Sequence, residues 1–279
     1  IVPYVRGRER SLPANEIIRQ LTTLPTSVKE VTLLGQNVNS YRDQKLNFAG
    51  LLKLVDQLAG ERWIRFATSH PKDFTEQIVK VIAEGKNLCE HIHLALQSGS
   101  DKILALMNRH YTARDFIRLT EIIRRYLPGA SLTTDLIVGF PEETEKDFQA
   151  TLEVVKTIEF DNAFTFKYSP RPGTKAAQLP DNVKDEIKTE RLMQLIEVQR
   201  EISDRINKKL IGTKQKILVE GESKKDSSQL AGRTRTNKIV IISSNNQLKP
   251  GEWAEVEIKA ASHLTLFGTI IKGGNHVGN

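Results

Sequence analysis

The 279 residues are 39% hydrophobic and 27% charged, with a net charge of +7 and a single cysteine, Cys89. That is enough chain for a barrel-sized unit plus a small module, and enough apolar side chain for a real core. One cysteine excludes an internal disulfide, and no apolar run is long enough to span a bilayer, so neither a disulfide scaffold nor a membrane protein is expected and the cytoplasm is the default location.

Short apolar runs alternate with helical patterns up to about residue 210. Strands are expected at Glu30–Leu34, Trp63–Thr68, His91–Gln97, Leu132–Val138 and Ala163–Tyr168, each running out into polar residues. Between them, Ile78, Val79, Val81 and Ile82 fall at near-helical spacing, with Asp73 and Glu76 as a capping pair and Gly85 as a stop. Thr112 with Asp115, and Thr144 with Asp147, repeat the start signal. Strand–helix alternation of this kind predicts an α/β fold with a parallel sheet or barrel, in which ligands bind at the carboxyl ends of the strands. Five strands are fewer than a full eightfold barrel needs, so a partial barrel is expected. A long helix over Asn182–Leu210 follows.

The rhythm then changes. Short strands are expected at Gln215–Glu220, Gln229–Thr234, Lys238–Ile242, Trp253–Lys259 and Thr265–Lys272, with turns at Asn245-Asn246 and Pro250-Gly251, predicting a small OB-like barrel. From Ile211 onward there are 10 Lys+Arg against 6 Asp+Glu, and 31 against 28 before it. More than half of the net charge therefore sits in a quarter of the chain, which points the tail towards nucleic acid. The expected units are 1–210 and 211–275.

Three segments carry a composite signature: Leu33-Leu34-Gly35-Gln36-Asn37-Val38-Asn39-Ser40-Tyr41; His93-Leu94-Ala95-Leu96-Gln97-Ser98-Gly99-Ser100-Asp101 running on to Met107-Asn108-Arg109-His110-Tyr111-Thr112; and Thr134-Asp135-Leu136-Ile137-Val138-Gly139-Phe140-Pro141-Glu142-Glu143-Thr144. They resemble the methylthiotransferase family of radical S-adenosylmethionine (SAM) enzymes, most closely its MiaB-type, tRNA-modifying branch. Arg65-Phe66-Ala67-Thr68-Ser69-His70-Pro71-Lys72-Asp73 and Tyr168-Ser169-Pro170-Arg171-Pro172-Gly173-Thr174 fit the same branch. Gly232-Arg233-Thr234-Arg235-Thr236-Asn237 looks like part of a TRAM domain, an RNA-binding appendage.

The resemblance implies a partial radical SAM barrel followed by a TRAM barrel, and methylthiolation of carbon two of an isopentenylated adenosine beside a tRNA anticodon. It implies SAM, two 4Fe–4S clusters and an electron-donor protein as cofactors and partners. Cluster chemistry needs thiolates, and Val2-Pro3-Tyr4-Val5-Arg6-Gly7 resembles the segment that follows the family's C-x-x-x-C-x-x-C loop. A cysteine immediately before Ile1 is therefore expected, with further cysteines upstream, no catalytic or metal-ligating residue in this chain, and an inactive chain when alone. The SAM-facing positions implied are Gln36, Ser69, Gln97, Ser98, Arg109, Asp135, Gly139 and Phe140. Those implied for RNA are Arg171, Lys214, Arg233, Arg235 and Lys238.

Plainer readings stand beside these. Gln97-Ser98-Gly99-Ser100 could be a strand end with a helix cap at Ser100. Asp135 could be a buried carboxylate satisfied by backbone donors, and Arg109 a helix-end partner. The tail's basic residues could be a solvated face. His91 and His93 alternate on a strand and could hold zinc with His70 or Asp135, as in a hydrolase. The chain could also belong to the branch that modifies a ribosomal-protein aspartate, against which Asn37 speaks, or be a non-catalytic RNA-binding barrel.

Overall fold

The computed structural model describes residues 10–67, 69–243 and 248–273. Thr68, the Asn245-Asn246 turn and the Val2–Gly7 segment lie outside the described residues.

Helix α1 (Ala14–Thr23) leads to strand β1 (Glu30–Leu33), a small hairpin of β2 (Arg42–Asp43) and β3 (Leu46–Asn47), and helix α2 (Phe48–Leu58). Then come β4 (Trp63–Phe66), α3 (Glu76–Glu84), β5 (His91–His93), α4 (Asp101–Leu106), α5 (Ala113–Tyr126), β6 (Ser131–Val138), α6 (Glu145–Ile158), β7 (Asn162–Lys167) and the long α7 (Asp185–Lys208). The strands fall where alternation places them. β1 pairs β4, and β5, β6 and β7 form a second parallel set. Parallel bridges at Ile64–Leu88 and Ser69–Leu94 join the two sets into one curved wall, an incomplete barrel.

The expected capping boxes at Thr112/Asp115 and Thr144/Asp147 are both present. The third expectation is corrected. Thr75 is the residue at the N-cap of α3, and Asp73 lies in a short 3-10 turn, where it accepts from the Asn37 amide. Proline at 71 favours that tight turn ahead of the helix.

Helices cover the outer side of the wall. Ile64, Phe66, Ile92, Leu132, Leu136 and Val138 pack against Phe48, Leu52, Val79, Phe116, Phe148 and Val155 in one core. Successive strand residues point to opposite faces. Glu30, Arg65, His91, His93, Thr133 and Asp135 therefore face the lumen.

Strands β8 (Lys214–Glu222), β9 (Gln229–Thr234), β10 (Ile239–Ser243), β11 (Trp253–Ala261) and β12 (Thr265–Gly273) close into a separate barrel in the order β10-β12-β11-β8-β9. Its own core holds Ile217, Val219, Val240, Val256, Ile258 and Leu266. Closure removes free strand edges, so a core this small can persist. No helix among the described residues is long and apolar enough to cross a membrane.

Candidate functional site

The mouth of the barrel lies at the carboxyl ends of the strands. After β1, Asn37 and Asn39 clamp the loop to the one after β4: His70 N–H donates to both side-chain oxygens, and the Asn39 amide donates to the His70 carbonyl at 2.9 Å. The Tyr111 hydroxyl donates to the carbonyls of Ala95 and Leu96, at 2.9 and 3.0 Å, holding the Met107–Thr112 loop under the end of β5. Its ring meets His70 edge-on at 5.7 Å. Several motif residues therefore hold the mouth in shape; their pattern alone did not reveal that role.

On this frame sit groups with unused hydrogen-bonding capacity. The Ser69 Oγ is buried with no partner among the described residues. Gln97 is 8% exposed, holds a left-handed backbone at φ 73°, and its side chain has no hydrogen bond among the described residues. A glutamine in that region is strained, and such strain concentrates at functional sites. Arg109 likewise has no side-chain partner among the described residues. Burial, and next the charge of Arg109, lowers the His70 pKa. Gln36 is exposed on the rim.

Gly139, after β6, takes φ 70°, and a Cβ there would strike the Lys188 side chain. Its N–H donates to Glu143 Oε2 at 2.7 Å, and that carboxylate also accepts from Arg191 at 2.9 Å. Burial raises the Glu143 pKa against the pull of these donors. Phe140 is buried edge-on to Tyr168 at 4.9 Å, so it offers backbone and not its ring.

Ser98 is corrected. It is fully buried and faces α6, with Oγ 3.3 Å from Thr151 Oγ1 and accepting from Ser100 N–H. Its side chain does not reach the lumen. Gly99 explains the tight seat: a Cβ there would lie 2.5 Å from the Thr151 Cα. Ser100 accepts from Ile103 N–H as the cap of α4, which is the plain reading. Asp135 does face the lumen, half-buried, with Oδ2 3.2 Å from His93 Nε2. That replaces the backbone-satisfied carboxylate expected as its plain reading. His91 and His93 both bond Thr133 Oγ1, at 3.1 and 3.0 Å.

The opposite end, the floor, is shut by the second barrel. Arg65 is buried and donates to Glu30 at 2.6 Å and to the carbonyls of Thr234 and Arg235 at 2.7 and 2.8 Å. Arg235 itself pairs with Glu90 at 2.9 Å and donates to the carbonyls of Lys86 and Leu88. Lys238 bonds Asp161 at 2.5 Å and Asn207 at 2.9 Å. Trp63 and Trp253 meet across the joint with centroids 4.6 Å apart and planes tilted by 58°. Two of the five residues expected to bind RNA, Arg235 and Lys238, are thus spent on the floor, where their charge is already neutralised. Arg233 pairs with Glu220 and Asn237, while Lys214 and Arg171 are exposed. Cys89 is buried beside this floor, and burial pushes its thiol up to about 12, unsuited to a thiolate ligand.

Residues 1–155 match the radical SAM superfamily. The chain belongs to this superfamily. Residues 208–271 match the TRAM domain and include the closed β8–β12 barrel. A tRNA-2-methylthio-N(6)-dimethylallyladenosine synthase of Moorella thermoacetica is 50% identical over 98% of this chain and 62% of its own length. The synthase of the same name from Syntrophomonas wolfei is 50% identical over 97% of this chain and 61% of its own. The chain thus spans about three-fifths of the length of these relatives. The radical SAM methyltransferase TsrM of Kitasatospora setae superposes with a TM-score of 0.50 at 13% identity, over 61% of this chain and 33% of that one, a likeness of fold.

Proposed function

We propose that this radical SAM chain is the cofactor wall and RNA handle of an enzyme that methylthiolates carbon two of a dimethylallylated adenosine in tRNA, beside the anticodon. The observation that carries the reading is the set of unpartnered polar groups at the mouth of a radical SAM fold whose tail is a TRAM domain. The 50% identity to each of the two synthases supports the same substrate.

The mouth fits SAM. Ser69 and Gln97 supply hydrogen-bonding atoms without partners among the described residues, suited to ribose hydroxyls or the amino group. Arg109 matches the methionyl carboxylate as a bidentate donor. The backbone of Gly139-Phe140 lines the adenine side, and Gln36 closes the rim. When bound with a reduced cluster, SAM supplies an adenosyl radical. This chain's residues hold the cofactor and exclude water. A 4Fe–4S cluster does not fit here: the sole cysteine is buried and protonated. We assign both clusters to other parts of the complete enzyme, which works in the cytoplasm with an electron-donor protein. Units of 1–210 and 211–275 are the working division.

RNA binding by this chain tests the reading. With about three to five phosphate contacts, raising salt about fourfold is expected to weaken binding to an anticodon stem-loop by roughly tenfold to a hundredfold. Deleting Ile211–Asn279 should remove most of the affinity. Salt-insensitive binding, or binding that survives the deletion unchanged, counts against the TRAM module as the RNA handle.

A further inference from the structure

Apart from Asp135, which is among the SAM-facing positions expected from the sequence, one lumen surface has no place in the cofactor set. In the register of β6 with β7, Asp135 lies beside Phe164 and Ile137 beside Phe166. Leu136 and Val138 are buried on the helix side, so Asp135, Ile137 and both phenylalanines face the lumen. Phe164 and Phe166 are 52% and 51% exposed. Two adjacent half-exposed aromatic rings on the concave side of a barrel form an apolar wall, where a solvated lumen would favour polar residues.

The wall carries one oriented acceptor. Asp135 Oδ2 bonds His93 Nε2 at 3.2 Å, while Oδ1 has no partner among the described residues. A carboxylate only accepts, so His93 Nε2–H donates to it; in the neutral ring that places the proton on Nε2, and Nδ1 then accepts from the Thr133 hydroxyl. Thr133 Oγ1 in turn accepts from His91 Nε2–H. Burial pushes the His91 pKa down to about 3, which leaves that ring neutral. The donors thus run one way, from His91 through Thr133 and His93 to Asp135, and fix the carboxylate plane. The His93 ring also meets Phe164 at 6.0 Å, so acceptor and aromatic wall are packed as a unit.

We propose that Phe164, Phe166 and Ile137 form the seat of the substrate base, a purine bearing an apolar N6 substituent, with Asp135 Oδ1 accepting its N6–H. This deepens, and rests on, the reading of the chain as part of a tRNA-adenosine-modifying enzyme. A base acted on inside a barrel must leave its stack, and an aromatic wall with one edge acceptor receives such a base. The adenine of SAM shares the flat ring and the N6–H. The apolar area beside Asp135 favours the alkylated purine, because the dimethylallyl group is what that area would bury. Thr133 and His93 act as positioning residues for Asp135.

The test uses the 279-residue chain and two stem-loop RNAs, identical except for N6-dimethylallyladenosine or plain adenosine at one position. The chain is expected to prefer the alkylated RNA by at least about tenfold, the low end of the scale for a single buried methylene. Phe164→Ala and Phe166→Ala should each bring that ratio close to one, by weakening the alkylated RNA more than the plain one, while leaving SAM affinity unchanged. Phe164→Tyr should keep the preference. Both rings are half exposed, so the fold is expected to survive, as circular dichroism would show; should one variant unfold, the other carries the test. A wild-type ratio of one, or a preference that survives both alanine substitutions, overturns the seat. Loss of SAM affinity with the preference intact would move the wall to the cofactor and also overturn it. Failure of the wild-type chain to bind either RNA above a scrambled control would instead sink the underlying reading.

Discussion

The two ends of the partial barrel solve opposite problems with the same kinds of residue. At the floor, Arg65, Arg235 and Lys238 are each paired with a carboxylate, and the two arginines also reach carbonyls. At the mouth, Ser69, Gln97 and Arg109 are left without side-chain partners among the described residues, and Gln97 and Glu142 hold left-handed backbones. A buried arginine with every guanidinium nitrogen bonded contributes rigidity and is costly to remove. A buried hydroxyl with no partner costs stability, and a bound ligand would offset that cost. The difference teaches that charge type alone does not assign function. Arg235 and Arg109 look alike as letters, and only their partners separate a structural clamp from a group left open to a ligand.

The sharpest way to break this comparison is at Arg65. Arg65→Met strands Glu30 and two carbonyls, and should cost about 3–5 kcal/mol. It should also uncouple the TRAM barrel from the core, splitting one calorimetric transition into two. An unchanged single transition would mean that the floor is not what joins the units. Next in size is Gly99→Ala. Its Cβ would lie against backbone of α6, which cannot step aside, so a loss of roughly 1–3 kcal/mol is expected from thermal melts.

Acid separates the two ends in a third way. Unfolded His91 takes up a proton near its ordinary 6.5, but the folded ring waits until about 3. Between these values the unfolded state binds more protons, so stability falls as pH drops from about 6.5 towards 3. His91→Gln should flatten that part of the curve by an amount on the order of a few kcal/mol. An unaltered pH profile would show the ring to be less buried than its lumen position implies. The smallest effect belongs to the mouth. Ser69→Ala should shift stability by less than about 1 kcal/mol, in either direction, because no hydrogen bond is lost. It should nonetheless weaken SAM binding, read by calorimetry at high ligand concentration.

Much of the fold was legible in the chain because its signals are local. Alternation placed all five core strands, and Thr112/Asp115 and Thr144/Asp147 announced their helices through partners three residues away. The Asp73 expectation failed because the prolyl turn at Pro71 delays the helix start to Glu76. The floor was illegible for a different reason: Arg65 meets Thr234 and Arg235 across 169 and 170 residues of chain, a distance over which no periodicity reports. The site was half legible. The motifs lead to loops that the fold gathers at one mouth, but a strand end does not say which way a single side chain turns. Ser98 turns into α6, whereas Asp135 turns to the lumen. Phe164 and Phe166 went unmarked because alternating phenylalanines on a strand read as core, and only the register with β6 puts them on the open side.

The central claim is that the mouth is built to be completed by a ligand and the floor is complete already. Amide hydrogen exchange of this chain, with and without millimolar SAM, tests it most directly. Slowed exchange should appear around Ser69–His70, Gln97–Gly99 and Gly139–Phe140, with the Arg65 strand and the Thr234–Lys238 turn equally protected in both samples. Protection that appears at the floor, or a mouth indifferent to the ligand, would contradict the claim.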